Sequence, residues 1–159
     1  MKDRPVASPS SPDLPSSLAL FSVLQGRGGM DSPVADSAGR LSNLFRELIA
    51  RPHAAVEIRA AVGLIVTEVD RWVAGMCPRP RPGATLVMES FGGALSRVVE
   101  AWEVARWARE TLPADHDLVH RSWTHLAEMK LAYQQFHGQI LTGEVELPRS
   151  WPGIETIRQ

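Results

Sequence analysis

From Ser37 onward the apolar residues of this chain recur at alternating three- and four-residue steps, the spacing that lines side chains along one face of a helix. Leu41, Leu44, Phe45, Leu48 and Ile49 predict a first helix over about residues 37–50, stopped by Pro52. Ile58, Val62, Ile65, Val69, Trp72 and Met76 predict a second over about 54–76. Met88, Phe91, Leu95, Val98, Trp102 and Ala105 continue the rhythm in a third, over about 86–111. A fourth begins near Asp115, an N-cap after Pro113, and carries Leu118, Ser122, Leu126, Met129, Tyr133, Phe136 and Ile140 up to a stop at Gly143. Stripes this long, joined by the stiff segment from Cys77 to Gly83 and the tight one from Leu112 to Ala114, predict an all-α fold: an antiparallel bundle of about four helices over residues 36–148. The only strand-like alternation is Glu144-Val-Glu-Leu147, which is short.

Proline changes the picture at the start of the chain. Pro5, Pro9, Pro12, Pro15 and Pro33, interleaved with serines, leave residues 1–35 with too little apolar surface to offset the entropy of ordering, and predict a disordered arm. One exception is the apolar run from Leu18 to Leu24, read as a helical turn docked on the bundle. It resembles a secretory signal in having Lys2 and Arg4 upstream, but no small-residue cleavage pattern follows it before the glycines at 26, 28 and 29. Residues 149–159 read as a tail.

Composition narrows the function. Seventeen basic and eighteen acidic residues give a net charge of −1, which leaves no cationic excess for nucleic acid. No apolar run approaches the roughly 18–20 residues a membrane span requires. The single cysteine, Cys77, sits at a helix C-terminus, where the dipole disfavours a thiolate nucleophile. His116, Asp117, His120 and His125 cluster near the start of the fourth helix, yet no Glu-x-x-His occurs, so no metal site is expected. Neither a phosphate-binding loop nor a nucleophile elbow is present, and no cofactor is implied. The expected location is the cytoplasm.

The third helix holds the least ordinary residues. Gly92 and Gly93 each cost about 1 kcal/mol against alanine inside a helix, which asks for compensation: either a close helix crossing or a floor beneath a ligand. Glu89, Gly93, Ser96, Glu100, Glu103 and Trp107 share one polar face, on which Arg97–Glu100 and Glu103–Arg106 read as surface pairs. Trp72, Trp102 and Trp123 fall on or beside the apolar stripes, as core fillers or as walls of a pocket.

Four short motifs appear in order: Arg59-Ala-Ala with Val69-Asp-Arg-Trp-Val73; Glu89-Ser-Phe-Gly92 with Leu95-Ser-Arg-Val98; Trp123-Thr-His-Leu-Ala-Glu-Met129 with Tyr133; and Gly143-Glu-Val-Glu-Leu-Pro148. Over residues 59–148 the chain resembles the bacterial domain-of-unknown-function family four-two-five-four. That resemblance implies a small helical protein without an established activity, in a setting of specialised metabolism or surface-glycan synthesis. It puts Glu89, Gly92, Arg97, Trp123, Glu128 and Tyr133 on the family pattern. The chain departs from it at Val87 and Ser96, where the family carries a histidine and an aspartate, and this weakens acid–base catalysis.

Two functions follow as expectations. The first is a non-catalytic module that binds a protein partner or forms a homodimer through a helix face. The alternative is a small-molecule-binding protein, or a cofactor-free acid–base enzyme, with its site between the third and fourth helices. There Glu89 or Glu128 would be acid or base, Arg97 would hold an anion, and Trp123 or Tyr133 would stack.

Overall fold

The computed structural model describes residues 14–28 and 31–149. Five α-helices dominate: α1 (Ser17–Leu24), α2 (Pro33–Ala50), α3 (Ala55–Met76), α4 (Phe91–Thr111) and α5 (Asp117–Thr142). A short 3-10 turn at Pro52–Ala54 joins α2 to α3. Two-residue strands β1 (Thr85–Leu86) and β2 (Val145–Glu146) pair in parallel, Thr85 opposite Val145 and Leu86 opposite Glu146. The all-α expectation therefore holds. Helix α4 is the hub, packing against α2, α3 and α5, while α1 packs against α2 and α5. The core gathers Leu41 and Phe45 from α2, Val62 and Val69 from α3, Leu95 and Val99 from α4, and Leu126 and Tyr133 from α5.

The helix ends correct several boundaries. Ser32 caps α2 by accepting from the Ala35 amide at 3.1 Å, with Pro33 in the first turn, so α2 starts four residues before the predicted Ser37. Helix α4 starts at Phe91, five residues after the predicted start, because Ser90 caps it through the Gly93 amide at 3.0 Å. Leu86, the predicted start of the third helix, and Met88, assigned to its stripe, instead lie outside the helix and are solvent-exposed. Within the alternating Glu144–Leu147 segment, Val145–Glu146 is a two-residue strand, and the Thr85 and Val87 amides donate to the Glu144 and Glu146 carbonyls. His116, rather than Asp115, caps α5 by accepting from the Leu118 amide at 3.1 Å. Gly143 ends α5 at φ +72°, the left-handed geometry that favours glycine.

The expected disordered arm is corrected at residues 14–17 and 31–35, while the run from Leu18 to Leu24 is the docked helical segment expected of it, within α1. Residues 1–13 and 150–159 lie outside the described residues. Leu14, Leu20, Phe21 and Leu24 are buried in the common core, with Leu20 fully enclosed. The proline and serine content that argued for disorder serves as punctuation here: Ser16 accepts from the Ala19 amide at 3.2 Å and starts α1. The Tyr133 hydroxyl donates to the Pro15 carbonyl at 2.7 Å, and His137 Nε2 lies 3.0 Å from the Leu14 carbonyl. Buried backbone acceptors with these partners avoid the desolvation cost that would otherwise expel such a segment.

Candidate functional site

Gly92 and Gly93, the two anomalies of α4, have different causes. A Cβ on Gly92 would stand 2.6 Å from the Val66 carbonyl oxygen and 2.8 Å from Asp70 Oδ1. The Gly92 amide donates to that same Asp70 oxygen at 2.7 Å. This glycine thus lets α4 cross α3 in direct backbone contact, while Asp70 satisfies one of the free amides at the start of α4. A Cβ on Gly93 would meet the Glu89 carboxylate instead, a flexible group.

The predicted site falls on the α4–α5 surface, where two adjoining depressions share Arg97 and Met129. One, of about 180 Å³, is lined by Glu89, Arg97, Met129, Tyr133 and Phe136. The other, of about 390 Å³, is lined by Arg97, Glu100, Val104, Ser122, His125 and Met129. Glu89 and Arg97 form an ion pair at 3.2 Å, with Arg97 69% and Glu89 37% exposed. Arg97 is therefore paired with the loop before its own helix, and the expected Arg97–Glu100 pair is replaced by Arg59 to Glu100 at 2.6 Å, joining α3 to α4. Glu128 stands outside both depressions, exposed, with His125 4.0 Å away.

The aromatic candidates are already occupied. Trp123 packs edge-on against Trp102 at 6.4 Å, and Arg109 covers it at 5.3 Å. Tyr133 is buried, stacked on His137 and tilted against Phe91, and its hydroxyl is bonded to Pro15. Burial pushes its phenol well above the ordinary tyrosine range. Trp102 is a core filler, as expected, while Trp72 is partly buried beside the core.

Glu103 is the residue that sequence reasoning misplaced. Instead of lying on a wet face, its side chain is fully buried under α2. Ser42 donates its hydroxyl proton to Glu103, Arg46 Nε donates at 3.2 and 3.3 Å, and Arg106 donates through Nε at 3.0 Å and an η nitrogen at 2.9 Å. Burial disfavours the Arg106 cation, but Glu103 and Glu110 more than offset that and raise its pKa above the usual arginine value. The cluster has a full set of partners, as a carboxylate inside a protein must, and it fastens α2 to α4. Spacing carries half of the signal, since Phe91, Leu95, Val99 and Glu103 follow one another at four-residue steps, while the charge of Glu103 points the other way.

Elsewhere, Cys77 closes the C-terminus of α3 at the edge of a cavity of about 420 Å³ lined also by Val73, Phe91, Ile140 and Val145. Burial raises its thiol pKa, so the thiolate is scarce at neutral pH. No three histidine, cysteine or carboxylate side chains converge as metal ligands among the described residues. No helix among them is long and apolar enough to cross a membrane.

Comparison with family models, curated proteins and solved structures gives no match.

A third surface carries no residue singled out from the sequence. Between α2 and α3 lies a groove of about 390 Å³, lined by Arg40, Asn43, Leu44, Glu47, Ala61, Leu64, Ile65 and Glu68. Leu64 is 69% exposed at its edge, and Val56 is 85% exposed one face-width away on the same helix. The missed signal lies in α3 itself, whose outward side mixes charges (Glu57, Arg59, Glu68, Arg71) with the apolar or small Val56, Ala60, Gly63 and Leu64, opposite the buried Ile58, Val62, Ile65 and Val69. A helix with a purely solvated outer face carries charged and polar residues there.

Proposed function

We propose that this chain is a non-catalytic interaction module. Its scaffold is an antiparallel bundle of α2 to α5, and it docks a protein partner along the α2–α3 groove. The observation that carries this reading is Leu64, a large apolar side chain standing in water at the lip of a groove whose floor includes Leu44 and Ile65. Covering it would remove apolar area from water at about 25 cal/mol per Å². Flanking charges are tied down within the chain, Arg40 to Glu68 at 2.6 Å and Glu47 to Arg51, which leaves the groove's middle free of unpaired charge. The alternative site between α4 and α5 has weaker support. Its Glu89 and Arg97 neutralise each other at the surface, and the Tyr133 hydroxyl is committed to Pro15. Membership of family four-two-five-four, a place in specialised metabolism or glycan synthesis, and a cytoplasmic location remain proposals that rest on the sequence.

The test is photo-crosslinking in the cells that make the chain, with a benzophenone side chain at exposed Ala60 beside the groove and a control at exposed Gln135 on α5. One discrete adduct from position 60 and none from 135 is the expected result. Adducts of equal yield from both positions, or none from 60, would overturn the reading.

A further inference from the structure

We infer that the protein seated on this groove is a second copy of the chain, with the two α3 helices antiparallel about a two-fold axis at Leu64. This rests on the docking reading above and names its partner.

The argument begins with charge. Among the described residues, Glu57 and Arg71 are the two charged side chains of α3 without a direct ion pair or hydrogen bond within the chain, although Arg71 stands near enough to Glu68 to help lower its pKa. Arg59, Glu68 and Asp70 are engaged with Glu100, Arg40 and the Gly92 amide respectively. Glu57 precedes Leu64 by seven residues and Arg71 follows it by seven. Seven residues are close to two helical turns, so all three side chains lie along one line of α3, with the charges about 10 Å to either side of the leucine. An antiparallel copy centred on Leu64 brings Glu57 of each protomer opposite Arg71 of the other, twice by symmetry. A parallel copy in the same register would oppose like charges, Glu57 to Glu57 and Arg71 to Arg71.

Shape agrees with charge. In the antiparallel arrangement the two Leu64 side chains meet at the axis, beside the groove edges formed by Leu44 and Ala61. Ala60 and Thr67, four before and three after Leu64, are small and exposed, and they offer no bulk to hold the helices apart. With α2 flanking α3 on each side, the joint is a four-helix layer, α2–α3 against α3–α2, of the kind that buries a 3-4 stripe.

The experiment is sedimentation equilibrium of the full chain over a concentration series, with wild type, Glu57→Arg, Arg71→Glu, the double exchange and Leu64→Glu. The self-pairing predicts a wild-type dimer, and each single reversal, which sets two like pairs against each other, should weaken it at least about tenfold. The double exchange should return the affinity to within a few-fold of wild type, and Leu64→Glu should leave monomer. All three substituted sites are solvent-exposed, and circular dichroism with thermal melts verifies that each variant folds. A wild-type dimer lost in Leu64→Glu but indifferent to the charge variants overturns the antiparallel register. A monomeric wild type that still gives a position-60 adduct with another polypeptide overturns self-pairing and leaves the docking reading intact. A monomer with no such adduct overturns both.

Discussion

Replacing Glu103 by glutamine removes one charge and almost no volume, and isolates what the buried carboxylate does. In the native chain its oxygens take five donor contacts from Ser42, Arg46 and Arg106. The amide offers one oxygen instead of two, and its NH₂ group must face guanidinium donors. Hydrogen bonds to charged groups contribute about 1.5–3 kcal/mol each, so losing the two arginine links sets an upper range of about 3–6 kcal/mol. Two features reduce it. The side chains of Arg46 and Arg106 are 49% and 29% exposed and can turn to water, and Arg106 keeps Glu110 at 2.9 Å. A loss of about 3 kcal/mol is expected, against about 0.5 kcal/mol or less for a residue on a wet face.

Urea unfolding followed by tryptophan fluorescence reads this directly, because Trp102 and Trp123 touch edge to face in the core. With m near 2 kcal/mol per molar, a 3 kcal/mol loss lowers the midpoint by about 1.5 M at unchanged slope. The converse variant, Arg46→Met with Arg106→Met, strands the carboxylate with Ser42 alone and should cost at least as much, since an uncompensated buried charge costs about 3–5 kcal/mol. If Glu103→Gln unfolds within about 0.3 M of wild type, the carboxylate is not holding α2 to α4 and the reasoning fails.

The glycine pair should respond in opposite senses. Gly92→Ala drives a methyl into the Val66 carbonyl, a backbone atom that cannot step aside, and should destabilise by about 1–3 kcal/mol despite the better helix propensity. Gly93→Ala needs only the Glu89 side chain to swing away, and should be neutral or stabilising by up to about 1 kcal/mol; equal losses at both positions in the same urea assay would contradict the crossing geometry. Tyr133→Phe leaves the Pro15 carbonyl without its donor and should cost about 1–2 kcal/mol, with faster proteolysis of the segment before α1. The pH dependence has a definite sign. The native phenol holds its proton above the ordinary value near 10, so its stability contribution is complete below about pH 10 and is lost as pH rises through the native pKa. Since the chain has one tyrosine, phenolate absorbance reports it alone; native protein titrating at the ordinary value would show that Tyr133 is not buried.

The helices were legible because an apolar stripe is repeated many times: Ile58, Val62, Ile65, Val69 and Val73 are all buried, and any one of them could have been polar without hiding the pattern. Ends and sites have no such redundancy. Ser32 and Ser90 each decide a helix start with one hydroxyl, and Met88 continues the third stripe numerically although the chain there runs outside the helix. Glu103 shows the same limit from the other side. Its position among Phe91, Leu95 and Val99 argues for burial and its charge argues for water. The conflict is resolved only by Ser42 and Arg46, some 60 residues away and therefore unconnected in any local window. At the N-terminus the docked turn over residues 18–24 was legible, but the order of Leu14 and Pro15 before it was not: it comes from α5, where Tyr133 and His137 face the Pro15 and Leu14 carbonyls. The outer face of α3 completes the logic. Local spacing explains its inward stripe, while Val56 and Leu64 violate the rule for a solvated face. For Glu103 and for Leu14 and Pro15, a residue that local pattern cannot place is answered by a distant partner in the same chain. Leu64 stays 69% exposed at the lip of its groove, and the proposed partner helix is the group that would cover it.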